Sequence, residues 1–182
     1  ESLAEEFGVS RGPVREAFRI LESDSVVRIL PNKGAHVTQL TAQEVADIFE
    51  IRRTLFGVMV ARLSAEEAAR IAVSIEADVR ALDALAQDSE GADEYFKTSF
   101  NLSRVLRESC SNERLTQILA SLSRQTLRYT QLGLATAARR KESARNWRAL
   151  QKALKAGKVD VAAEAAQKLI EDSEREAIRQ LS

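Results

Sequence analysis

The sequence has one cysteine, one histidine, one tryptophan and two prolines among 182 residues, and its 27 basic residues are balanced by 27 acidic ones. Each scarcity excludes something. Cys110 alone can form neither an internal disulfide nor a metal knuckle, which agrees with a reducing compartment, and its simplest reading is a half-buried helix residue. With a single histidine, no His-Glu-x-x-His and no phosphate-cradling glycine loop, an enzyme of the metal-dependent helical kind has no parts to work with. No run of 18 apolar residues occurs, so no segment is a candidate membrane span, and a cytoplasmic protein is the expectation. Zero net charge argues against binding polyanions over the whole surface but leaves room for a local basic patch.

The length and a hydrophobic content of 45% are enough for a substantial core. Pro13 and Pro31 both lie near the start, and the sequence after Pro31 is free of proline. That asymmetry divides the chain near Thr41 into a domain over 1–40 and a domain over 41–182. In the first, the β-branched runs "VVRIL" and "AHVTQL" flank "PNKG", which predicts a two-stranded hairpin with turn residues at its tip. In the second the pattern is helical throughout. Thr41 with Glu44, and Ser64 with Glu67, fit the capping box in which a hydroxyl and a carboxylate satisfy free helix-start amides. Gly91, Gly133 and Gly157 fall near expected helix ends, where a left-handed residue favours glycine. About six helices follow, over 42–63, 65–87, 92–110, 112–132, 136–156 and 159–181. Ile48, Ile51, Leu55, Val58, Met59 and Leu63 recur at helical spacing, so such helices have a face to bury, and an antiparallel bundle buries it.

The first domain carries the basic patch. From Ser10 to His36, Arg11, Arg15, Arg19, Arg28 and Lys33 face only Glu16, Glu22 and Asp24. Leu3, Ala4 and Phe7 share one face of a short helix that Gly8 ends, and Ser10 offers an N-cap for a second. There Val14, Ala17, Phe18 and Leu21 form the apolar face, and the three arginines sweep around its side. Helix, tight turn, helix and hairpin is the order of a winged helix-turn-helix. Ser10 and the helix-start amides suit a phosphate, while Arg11 and Arg15 suit the O6 and N7 of guanine.

The stretch "LAEEFGVSRGPVREAFRILESDSVVRILPNKGAHVTQLT", residues 3 to 41, resembles the DNA-binding domain of the GntR family of bacterial transcription regulators. The resemblance implies that Ser10, Arg11, Gly12, Pro13 and Arg15 meet double-stranded DNA from the recognition helix, that Arg19 touches backbone, and that Asn32, Lys33 and Gly34 form the wing tip. Gly12 stands where the family has threonine, and Ser25 where it has glycine, so the turn into the wing is expected to be strained or reshaped. His36 is expected to be a passive strand residue, with a phosphate contact as the alternative. A winged helix also needs a first helix to cover these apolar faces, so the expectation is an N-terminally incomplete module, with some 20 to 30 further residues in the intact protein (about one helix and its lead-in).

"DIFEIRRTLFGVMVARLS" and "FNLSRVLRESCSNERL" resemble the all-helical effector domain, called FCD, of the FadR subgroup. Many members hold a divalent ion with Asp-x-x-x-His on one helix and two later histidines, and the ion receives a carboxylate effector. Here those positions fall on Ser99, Ser103, Trp147 and Leu169 or Ile170, none of which is a competent ligand. A shifted register brings in Asp93 and Lys97, whose ammonium repels a cation. No metal or other cofactor is therefore expected. Arg52 matches an arginine of the subgroup and is expected either to pair with an anionic effector or to form an ion pair, with Glu50 or a neighbouring helix. Phe56 is expected to make that part of the cavity more apolar, and Trp147 to line the pocket or pack it shut. The composite expectation is a mainly α protein: a dimeric, DNA-binding regulator that recognises a short palindrome and responds to a small organic effector near Arg52, Ser99, Ser103 and Trp147. The alternative is an effector-independent scaffold that oligomerises on DNA.

Overall fold

The computed structural model describes residues 2–31 and 33–181, with the side chain of Ser2 also outside the description. The chain divides into two compact units, Glu1–Leu40 and Thr41–Ser182.

The first unit runs α1 (Ser2–Glu6), α2 (Arg11–Ser23), β1 (Val27–Leu30) and β2 (Gly34–Val37). The two strands pair antiparallel, with Val27 opposite Val37 and Arg28 opposite His36. Gly8, at φ 62°, turns the chain between the helices. Glu22 ties α2 to the wing by accepting from the Ile29 amide at 2.9 Å. Ser25 is the one non-glycine residue at positive φ among the described residues, at 59°. It occupies the left-handed region that glycine fills without steric cost, so the expected strain at this turn is present. The apolar face of α2 is only half-covered: Val14 and Phe18 border an open groove with Ala4, Ile29 and Ala35.

The second unit is all helical: α3 (Ala42–Ala61), α4 (Ala65–Ser74), α5 (Glu76–Leu85), α6 (Ala92–Glu108), α7 (Glu113–Gln125), α8 (Leu127–Leu132), α9 (Ala137–Lys155) and α10 (Val159–Leu181). Both anticipated capping boxes form. The Glu44 amide donates to the Thr41 hydroxyl and the Glu67 amide to that of Ser64, and each carboxylate accepts from its N-cap amide in return. Two of the six anticipated helices are broken. The segment 65–87 splits at Ile75, and 112–132 splits at Thr126, whose hydroxyl donates to the Leu122 carbonyl at 2.9 Å. Such back-bonding by threonine competes with the helix ladder and bends it.

Of the three glycines placed at helix ends, Gly157 alone is left-handed, at φ 66°. Gly91 and Gly133 are there for space, since an added Cβ would lie 2.7 Å from the Leu85 carbonyl oxygen and 3.1 Å from that of Ser173. Cys110 is free and half-buried, as anticipated, but follows α6 rather than lying within it.

The core lies where α10 packs on α3 and α9. Val45 and Phe49 of α3, Leu150 and Leu154 of α9, and Ala162 and Ala166 of α10 are all fully enclosed. Gly57 of α3 allows close approach, since a Cβ there would collide with the Gln167 side chain of α10. Arg140 of α9 is buried too, and its guanidinium donates to the carbonyls of Leu134, Ala135 and Asp88 at 3.3, 2.8 and 2.9 Å. One cation thus fastens the start of α9 to the α5–α6 connection.

Candidate nucleic-acid interface and effector cavity

In the first unit, α2 begins at Arg11 with Ser10 as its N-cap, extended at φ −71° and ψ 164°, and the Ser10 hydroxyl makes no capping hydrogen bond. It therefore stays available beside the unfilled amides of the first turn, where the positive end of the helix favours a phosphate. Gly12, Pro13 and Arg15 are exposed on the same helix, as is Arg11. The Gly12 position is open: a Cβ there would meet only the Ser10 Oγ, at 3.9 Å. Arg19 is exposed one turn beyond Arg15 and holds Glu16 at 3.5 Å, a surface pair of little energetic weight.

At the wing, the Lys33 amide donates to the Leu30 carbonyl at 3.1 Å, and Gly34 has φ 78°, which closes the hairpin. The His36 ring donates from Nε2 to the Lys33 carbonyl at 3.1 Å, so the histidine braces the turn. Asn32 lies outside the described residues. Arg28, counted in the basic patch but given no contact there, stands opposite His36 and puts a second basic side chain on the wing.

In the second unit, Arg52 of α3, Ser99 and Ser103 on successive turns of α6, and Trp147 of α9 line a single cavity of about 40 Å³. Leu169 and Ile170 complete its wall from α10. Phe56 is buried but does not line it, which corrects its anticipated role. The indole of Trp147 is enclosed and forms wall without sealing the space.

Hydroxyls dominate the polar lining, with Ser123, Thr130, Ser143 and Ser173 joining the two serines of α6. Ser99 donates to the Phe96 carbonyl and Ser103 to that of Ser99, each at 3.1 Å. Two guanidiniums supply the charge. Arg52, 7% exposed, donates from Nη1 to the Thr126 hydroxyl at 2.6 Å and lies over the Phe49 ring at 4.9 Å. Arg107, 6% exposed, lies over the Phe100 ring at 5.8 Å. The anticipated ion pair between Arg52 and Glu50 is not formed, and neither arginine forms a salt bridge among the described residues. Burial pushes the Arg52 guanidinium down to about 10, and the positive charge of Arg107 pushes in the same direction. Burial lowers Arg107 as well, although the nearby Glu108 carboxylate works the other way.

Arg107 was missed by motif reasoning, yet a signal existed. Ser99, Ser103 and Arg107 recur at intervals of four, so α6 carries all three along one stripe. The donor set does not fit a divalent metal. Serine hydroxyls, indole and aliphatic carbon are not competent ligands, and two buried guanidiniums oppose entry of a cation.

A winged module and an all-helical bundle are what the comparisons with known proteins match. Residues 47–172 match the FCD domain, and residues 1–37 match the bacterial regulatory proteins of the gntR family. The chain is a GntR-family transcriptional regulator with an FCD domain. It is 48% identical over 50 residues to the uncharacterized HTH-type transcriptional regulator YdhC of Bacillus subtilis (strain 168), a match over 28% of this chain and 22% of that protein. It is 46% identical over 54 residues to the gluconate operon transcriptional repressor of the same organism, covering 30% of this chain and 22% of the repressor. Those matches thus span less than half of the curated relatives' length. In overall fold the regulator is similar to E. coli McbR/YncC, with a TM-score of 0.86 at 19% identity, over all of this chain and 86% of that one. Its family and relatives mark a regulator and not an enzyme. No helix among the described residues is long and apolar enough to cross a membrane.

Proposed function

We propose that this regulator is a cytoplasmic homodimer that binds a short palindromic operator in double-stranded DNA and is controlled by a small organic effector held in the cavity of its second unit. In this reading α2 enters the major groove, with Ser10 and the first-turn amides on phosphate, Arg11 and Arg15 on base edges, Gly12 and Pro13 close to the groove floor, and Arg19 on backbone. Lys33, Gly34 and Asn32 form the wing tip near the minor groove, joined by Arg28.

The observation that carries the DNA reading is the exposed N-terminus of α2, where an unspent Ser10 hydroxyl and the side chain of Arg15 occupy one helix start. Dimerisation has its own support. Ile51 and Val58 are exposed seven residues apart on α3, and α7, which packs against α3, exposes Ile118. A second copy covering these apolar side chains would align two recognition helices about a two-fold axis, which a palindrome mirrors.

The effector reading rests on the convergence of Arg52, Ser99, Ser103 and Trp147 on one cavity. Its small volume favours a second reading, in which the unit is an effector-independent scaffold that oligomerises on DNA. Selection of operator fragments from random DNA, followed by sedimentation of the complex, tests the first claim. Enrichment of a palindrome bound by two copies is the expected result, and salt-sensitive binding to all sequences alike overturns it.

A further inference from the structure

We propose that the cavity between Arg52 and Arg107 is a metal-independent binding site for one compact oxyanion, with the two guanidiniums as its cationic clamp. This deepens the effector reading by naming the chemical class of the ligand, and it rests on that reading only for any effect on DNA.

Buried charge is the starting point. An arginine withdrawn from water ordinarily sits against a carboxylate, because an unpaired interior cation is costly. Two such arginines here share one cavity, from α3 and α6, and its lining includes no aspartate or glutamate. The acidic residue next to Arg107 in sequence, Glu108, is engaged elsewhere: its carboxylate accepts from Arg104 at 2.8 and 2.7 Å. Arg52 has two hydroxyl oxygens for partners, Thr126 at 2.6 Å and a long contact to Thr130 at 3.5 Å. Hydroxyls and ring faces compensate a guanidinium only partly, and Glu108 acts on Arg107 through its charge alone, so neither guanidinium holds a carboxylate in a salt bridge among the described residues.

The rest of the wall suits that anion. Ser99 and Ser103 now spend their protons on carbonyls of their own helix, bonds that a hydroxyl can exchange by rotation for an incoming acceptor. Ser123 and Ser173 make the same kind of bond, to the carbonyls of Leu119 and Leu169. The volume sets the size. At about 40 Å³ the space admits about three waters, which is the bulk of one carboxylate or phosphate group and not of an extended molecule. A guanidinium offers paired donors to the two oxygens of such a group.

The protein carries its own reporter. Trp147, the single tryptophan of the chain, lines this cavity, so its emission responds to occupancy there. The test titrates the full chain, treated with EDTA and held in chloride-free buffer at fixed ionic strength, with sodium phosphate, sulfate, acetate or malonate while Trp147 fluorescence is read. Saturable change with at least one anion, at about 1 mM or below and unaffected by EDTA, is the expected result. Arg52→Gln and Arg107→Gln should each weaken it by about tenfold or more, Arg107→Lys less, and Arg80→Gln, at an exposed arginine of α5 away from the cavity lining, not at all. The balance between acetate or malonate and phosphate then distinguishes a carboxylate from a phosphoryl ligand.

A flat titration with all four anions overturns the proposal, and so does binding that requires added zinc. If the glutamine variants do not fold by circular dichroism, the wild-type titration and Arg107→Lys still decide. The two layers separate cleanly. Anion binding with unchanged operator affinity removes the effector reading and keeps the site, whereas a flat anion titration together with an uncharged ligand that shifts operator affinity keeps the effector reading and removes this site.

Discussion

Arg52 donates to the Thr126 hydroxyl at 2.6 Å, and that same hydroxyl donates to the Leu122 carbonyl at 2.9 Å, so a buried cation hangs on the residue where α7 gives way to α8. The cavity is thereby coupled to the one bend in this part of the bundle. Thr126→Val keeps the volume of the side chain and removes the acceptor. It should destabilise the protein by about 1 to 3 kcal/mol, the usual effect of stripping a partner from a buried donor, and urea denaturation followed by circular dichroism measures it. A change below a few tenths of a kcal/mol would show that Arg52 is satisfied by Phe49 and Thr130 alone.

Features fixed by neighbours in sequence were legible in advance. The capping boxes at Thr41–Glu44 and Ser64–Glu67 are local hydrogen-bond patterns, and they form as the spacing predicts. The wing was legible for the same reason, because "PNKG" joins two β-branched runs. The breaks at Ile75 and Thr126 were not. Both lie inside apolar patterns that continue through them, and the bend at Thr126 depends on a hydroxyl contact that spacing does not reveal. Arg107 was hidden in another way, since a buried arginine looks in sequence like a solvated one. What exposes it is Arg52, which lies 55 positions earlier on a different helix and faces the same cavity.

Ser25 offers a test of backbone strain. At φ 59° its Cβ is crowded against the backbone, and glycine would relieve that without losing a contact of consequence. Ser25→Gly should therefore stabilise the first unit by about 1 kcal/mol, net of the greater freedom glycine gives the unfolded chain. Hydrogen exchange at the Thr38 amide, which donates to the Val26 carbonyl at 2.9 Å where the wing begins, should slow in proportion. Faster exchange would mean that the serine side chain holds the turn.

The recognition helix separates base contacts from backbone contacts. Arg15→Ala should cost about 1 to 3 kcal/mol of affinity and relax selectivity at one operator position, whereas Lys33→Ala should weaken all sequences alike and lower the salt slope by about one. Fluorescence anisotropy with the selected operator and its single-base variants checks both. Gly12→Thr is the informative companion. Its open surroundings predict unchanged stability, so any change in base preference belongs to the new hydroxyl and methyl at the DNA surface.

Two carboxylates of α10, two residues apart, should answer pH in opposite directions. Asp172 is fully enclosed, and burial alone would raise its carboxyl. Hydrogen bonds from Lys168 at 2.7 Å and Asn146 at 2.8 Å, with the charges of Lys168 and Arg175, outweigh that and hold it below the usual aspartate range. A depressed carboxyl contributes stability above its unfolded value near ~3.9, and the contribution is lost as pH falls through the folded value. Asp172→Asn should thus cost about 2 to 3 kcal/mol at neutral pH, with the gap to wild type narrowing below about pH 4. Glu174 is the converse. Its Oε2 is buried without a hydrogen bond, and burial raises its carboxyl, reinforced by Glu171 and Glu50 against the opposing charge of Arg53. A raised carboxyl favours the folded state at low pH and loses that contribution as pH rises through the folded value, so the ionised form is a burden at neutrality. Glu174→Gln should be neutral to stabilising at pH 7 and confer no advantage at pH 4, as thermal unfolding at the two pH values would show. The reverse order for either variant would place the ionised, hydrogen-bonded carboxylate at Glu174 and not at Asp172.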